Sequence, residues 1–108
     1  MSKLPENDAQ RKAIRIYDGF MKYFPDAIIE VTKCSCRGNE QHHKDDPLWW
    51  DKTKSKEELN SMMRHLIEAQ ETNSIDDWAR VAWRAMANLQ RRCDAIRKRD
   101  EISQSNLA

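Results

Sequence analysis

The sequence predicts an all-α domain, and three observations carry that prediction. The chain has two glycines and three prolines in 108 residues, and 34% of it is charged. That balance, rich in Ala, Leu, Met, Glu, Lys and Arg, favours helix over sheet. Apolar residues recur at three- and four-residue steps through Leu59–Ile67 and again through Ile75–Ile96, the period of a one-sided helix. Two Ser-led capping boxes, Ser55-Lys-Glu-Glu58 and Ser74-Ile-Asp-Asp77, stand just before those stretches. The expected architecture is three main helices with a short N-terminal helical element and a long functional loop, assembled as an oligomer.

Taken in order, residues 1–10 read as a flexible arm, residues 11–99 as a single helical domain and residues 100–108 as a frayed tail. Between Arg11 and Phe24, Ile14, Tyr17, Phe20, Met21 and Phe24 mark a short amphipathic element interrupted near Gly19. Pro25 suits the first turn of the next helix. Along it Ala27, Val31, Cys34 and Ser35 share one small-residue face, with Asp26, Glu30, Lys33 and Arg37 on another. Gly38 is the expected stop of that helix. The stretch Gly38–Thr53 has no helical period, contains Pro47 and is predicted as a loop running on to Ser55. Loops of such length in small domains are usually functional or disordered, and the adjacent Trp49 and Trp50 argue against plain disorder. Helix Lys56–Gln70 follows, with Leu59, Met62, Met63, Leu66 and Ile67 on its apolar side. The longest helix runs from Ile75 to about Lys98. Its stripe of Ile75, Trp78, Ala82, Ala85, Met86, Leu89, Cys93 and Ile96 lies close to a heptad seam.

Composition excludes several classes. No run of apolar residues is long enough to span a membrane, and the first residues, MSKLPENDAQRK, lack the apolar core of a signal peptide. Cys34, Cys36 and Cys93 form an odd set without CxxC spacing, which reads as reduced thiols rather than zinc ligands. A cytoplasmic location is therefore expected. Net charge is +1, which argues against dedicated nucleic-acid binding. Phosphate-cradling glycine loops, a GxSxG elbow and a His-Asp dipeptide are all absent from the sequence.

The candidate chemistry gathers around the predicted loop. Asn39-Glu40-Gln41-His42-His43 combines a carboxylate, two amides and two histidines able to orient a phosphate, move a proton or bind a metal. Trp49 and Trp50 offer π-faces to a base, and Lys52, Lys54 and Lys56 bring charge to the start of the following helix. Arg64 and His65 lie off the apolar stripe, so a three-helix monomer is expected to leave His65 in water. Asp77, Arg80, Arg84 and Arg91 share the face of the long helix opposite its seam, with Trp83 at its border. That charged stripe is expected to be solvated, or to serve with Trp83 as an anchor for a ligand or partner.

The segments YFPDAIIEV, GNEQHH, PLWWDKTKS, RHLIEA and VAWRAMANLQ, in this order from about Ala13 to Leu89, resemble the small phage and bacterial dATP/dGTP diphosphohydrolase domains. The resemblance implies a helical enzyme that cleaves purine deoxynucleoside triphosphates to monophosphate and pyrophosphate with Mg²⁺ or Mn²⁺. Gly38, Asn39, Glu40, Gln41, His42, Trp50, Lys54, Ser55, Arg64, His65, Trp83 and Arg84 match the family pattern; Trp78, Val81 and Arg84 stand where histidines and an asparagine are common. On this basis Glu30, Glu40 and Asp77 are the expected metal ligands. Glu40, His42 and His65 are the expected catalytic groups. Asn39, Trp50, Lys54, Arg64, Trp83 and Arg84 are expected to hold the substrate. MazG-like enzymes use EExxE and ExxD helices for such chemistry; here Glu57-Glu58 is followed by Ser61 in place of the third acid. A non-catalytic protein that sequesters a signalling nucleotide, and a purely structural helical oligomer, are the alternatives.

Overall fold

A computed structural model describes residues 4–42, 45–53 and 58–106, with backbone alone for 39–42 and 106. The described residues form helices and connecting turns without strands. The helices are α1 (Asp8–Ala13), α2 (Pro25–His42), α3 (Glu58–Thr72) and α4 (Ile75–Asn106), with a π-helical turn, Tyr17–Met21, between the first two. Their tertiary packing is α3 on α4 and α2 on α4.

The first helix begins earlier than the apolar pattern suggests, because Asn7 caps it by accepting a 3.0 Å hydrogen bond from the Gln10 amide. The break in the N-terminal element falls at residues 14–15, and Gly19 sits inside the π turn. Pro25 opens α2 as expected. That helix does not stop at Gly38. It continues to His42, so Gly38–His42 of the predicted loop is helical. The C-terminal glycine role requires a left-handed backbone, and Gly38 does not adopt one. The Glu and Gln that follow it are good helix formers. A Cβ at Gly38 would meet open space. Gly38→Ala is therefore expected to stabilise the chain by about 0.5–1 kcal/mol, read as a melting temperature higher by a few degrees.

Helices α3 and α4 form an antiparallel hairpin across the link Asn73-Ser74. Asn73 takes the left-handed conformation (φ 51°) and its amide bonds the Ala69 carbonyl at 2.7 Å, closing α3. Ser74 caps α4 as its sequence predicts, its Oγ accepting from the Asp77 amide at 3.1 Å. The reciprocal half of the box is rewired: the Ser74 amide donates to Thr72 Oγ1, which donates in turn to the Asp77 carboxylate at 2.5 Å. The other predicted box begins at Ser55, outside the described residues. Its Glu58 instead turns inward, as described below. α4 runs past Lys98 to Asn106.

The Thr72 hydroxyl and then Ser74 hold the Asp77 carboxyl below its ordinary value of 3.8; Lys52 and Gln90 do the same for Asp94. Both groups bind protons more weakly folded than unfolded. Their contribution to stability is thus complete above 3.8 and lost as pH falls through the lower folded values. Asp77→Asn and Asp94→Asn should each flatten the acid limb of a melting-temperature profile in that window.

The apolar pattern predicts the helices but not the way they face. Among the described residues the buried apolar side chains are Ala69, Ala79 and Ala87, accompanied by Ser61 and Glu58. On α3, Leu59, Met63 and Ile67 are exposed. On α4, Ile75, Trp78, Met86, Leu89 and Ile96 are exposed, Ile75 at 69% and Leu89 at 62%. Of the face expected to be solvated, Trp83, Arg84 and Arg91 are half-buried against the rest of the chain, whereas Arg80 is exposed. The small residues Ser61, Ala69, Ala79 and Ala87 are what let α3 and α4 approach closely enough for long polar side chains to reach across.

Candidate functional site

Glu58, in the first turn of α3, is 3% exposed. A carboxylate so placed needs charge and hydrogen bonds to remain ionised. Arg84 supplies both, its Nη1 lying 3.0 and 3.1 Å from the two carboxylate oxygens, and Arg91 Nη2 stands at 3.7 Å. Arg84 and Arg91 are seven residues apart on α4, two turns, so both reach the same point of the neighbouring helix.

Aromatic rings cover this charge cluster. Trp83 donates from Nε1 to Ser35 Oγ at 2.7 Å, which ties its indole to the small-residue face of α2. Trp50 meets it edge to face, with centroids 5.4 Å apart and planes at 74°. Arg84 lies 5.3 Å from the Trp83 centroid, Arg91 5.3 Å from that of Trp50, and Lys52 Nζ 5.1 Å from Trp50. The segment carrying Trp50 is held to α4 at two further points: Arg91 Nη1 donates to the Lys52 carbonyl at 2.9 Å, and Lys52 Nζ bonds Asp94 at 2.8 Å. Asp51 closes a tight turn there by accepting from the amide and hydroxyl of Thr53. Two indoles and three cations are thus brought together by α2, α4 and the segment around Trp50.

Of the residues singled out from sequence, Trp50, Lys52, Trp83, Arg84 and Arg91 converge in this cluster. Arg64 does not join it; the side chain is exposed and donates to Ser61 Oγ at 3.2 Å. His65 is less wet than expected, at 20% exposure, and its Nδ1 is buried without a hydrogen bond; Glu68 stands 3.6 Å away, within ion-pair range of a protonated ring but beyond a hydrogen bond. Asn39, Glu40 and His42 occupy the last turn of α2, where only backbone is described, and His43, Lys54 and Ser55 lie outside the described residues.

Of the three expected metal ligands, Glu40 lies where only backbone is described. Glu30 pairs with Lys33 at 3.1 Å, and Asp77 is engaged at the α4 cap. Among the described residues no three His, Cys, Asp or Glu side chains are grouped to hold an ion.

Glu58, Ser35 and Asp94 complete the cluster and were not among the residues expected to form it. Glu58 was hidden by its capping-box context. The usable signal is the seven-residue spacing of Arg84 and Arg91, which puts two guanidinium groups on one face of α4. A second ion-pair cluster ties α2 to α4, where Asp76 pairs with both Arg37 and Arg80. Beside it, burial raises the Cys34 thiol above its ordinary value, against the opposing pull of Arg37.

Comparison of the chain with protein-family models, with curated proteins and with solved structures gives no match.

Proposed function

We propose that the protein binds a purine deoxynucleoside triphosphate at the Trp50–Trp83 cluster. The observation that carries this reading is the grouping of two indoles with Lys52, Arg84 and Arg91, each within about 5.5 Å of a ring centre. A base gains about 1–3 kcal/mol from one aromatic face, and a purine offers more surface than a pyrimidine. The cations suit a phosphate chain, because a guanidinium pairs with phosphate oxygens through several N–H groups at once. Glu58 has a supporting part: it holds Arg84 and Arg91 beside the two rings. The resemblance in the sequence supplies the choice of a deoxynucleoside triphosphate.

Cleavage to monophosphate and pyrophosphate is the reaction that the resemblance implies. Binding without turnover, as in a protein that sequesters a nucleotide, is the alternative. One experiment separates the two. Tryptophan fluorescence is titrated with dATP, dGTP, dCTP and dTTP, with Mg²⁺ or with EDTA, and pyrophosphate is measured in the same mixtures. Saturable quenching by the purine nucleotides is expected in both buffers. Pyrophosphate release abolished by EDTA would add the hydrolase activity; no saturable response to any nucleotide would remove the binding proposal altogether.

A further inference from the structure

The chain exposes 8921 Å², whereas a compact monomer of its mass exposes about 6,300 Å². Its radius of gyration is 16.9 Å, against about 13 Å for a compact domain of this length. The excess, on the order of 2,600 Å² per chain, is more than one side of a standard interface and lies in the range of obligate oligomers. A hairpin whose buried apolar side chains, among the described residues, are all alanine also lacks the apolar interior that holds a domain of this size together.

The excess surface has a pattern. Ile75, Ala82, Leu89 and Ile96 recur every seven residues along α4, with Trp78 and Met86 between them, and the larger of these side chains are exposed. A strict heptad seam is the arrangement that buries itself against another helix. We propose that this seam is covered by the same seam of a second copy of the chain, running antiparallel and centred on Ala85 and Met86.

Two features select this partner and direction. In that register Ile75 meets Ile96, Ala82 meets Leu89, and Trp78 meets Cys93, so large side chains face small ones at two levels. Charge agrees. The turn between α3 and α4 carries Glu68, Glu71, Asp76 and Asp77 with no Lys or Arg between residues 68 and 79, while residues 91–101 of α4 are net basic, with Arg91, Arg92, Arg97, Lys98 and Arg99 against Asp94, Asp100 and Glu101. An antiparallel pair sets the basic half of one copy beside the acidic turn of the other; a parallel pair would set like beside like.

The test requires no nucleotide, so it stands apart from the binding proposal. Size-exclusion chromatography with light scattering, at tens of micromolar, should give at least twice the 12.8 kDa chain mass. Leu89→Asp should return the mass to a single chain while helical circular dichroism persists. Alkylation followed by mass spectrometry serves if that variant does not fold. Cys36 and Cys93 are both exposed in the single chain, so in the assembled wild type Cys93 should label about tenfold more slowly than Cys36, the gap closing on dilution. A single-chain mass for the wild type would overturn the proposal. So would an oligomer in which Leu89→Asp changes nothing and Cys93 labels as fast as Cys36.

Discussion

Arg84→Ala is expected to lower the unfolding free energy by about 3 kcal/mol. The reason is the carboxylate left behind. Glu58 has 4% of its side chain exposed and receives both short contacts from Arg84 Nη1. Without that guanidinium, the charge depends on Arg91 at 3.7 Å. Breaking a buried pair from one side costs about 3–5 kcal/mol, and the surviving Arg91 places the loss at the lower end. Replacing both partners by apolar groups, as in Glu58→Leu with Arg84→Met, removes the stranded charge and should recover most of the stability. Chemical denaturation of the two single variants and the double variant provides the measurement. A double variant as unstable as Arg84→Ala would show that lost packing, rather than an orphaned carboxylate, is responsible.

Trp50→Ala should weaken purine nucleotide binding by about 10- to 100-fold, equivalent to about 1–3 kcal/mol of stacking, with a smaller effect on folding. Trp50 belongs to the connecting segment rather than to a helix, and its neighbours Lys52 and Asp51 keep their own attachments to Asp94 and Thr53. Trp83→Ala differs, because its indole also donates to Ser35 and thereby joins α2 to α4; it should lose affinity and stability together. Isothermal titration with dATP beside thermal melting distinguishes these patterns. Equal affinity in wild type and Trp50→Ala would place the nucleotide elsewhere.

The existence and order of the helices were legible in the sequence because periodicity and capping are local properties. Ser74 announced the start of α4, and Pro25 that of α2. Their facing was not legible. A stripe of Ile, Leu, Met and Trp states that a helix has an apolar side, without stating whether that side meets its own chain. Here the buried apolar positions are the small residues Ala69, Ala79 and Ala87; Met62 and Leu66 are half-buried, while Leu59, Ile67, Ile75 and Leu89 stay outside. Gly38 misled for a related reason: a glycine ends a helix when its backbone turns left-handed, and this one stays right-handed within α2. At the candidate site Trp50, Trp83 and Arg84 could be picked out as residue types suited to nucleotides. Glu58 escaped because its role depends on a guanidinium 26 positions away.

The two-residue link between α3 and α4 also bears on the order in which the chain assembles. The Glu58–Arg84 contact closes a span of 26 residues, the Lys52–Asp94 contact 42 and the Trp83–Ser35 contact 48. Closing the shorter span in place of the longest saves about 0.5 kcal/mol of chain entropy, and the Asn73 turn predisposes the two helices to meet. The hairpin is therefore the first long-range structure the chain can reach cheaply. On that order helix α2 and the segment around Trp50 are expected to dock after the hairpin, with the indole pair formed at that later step.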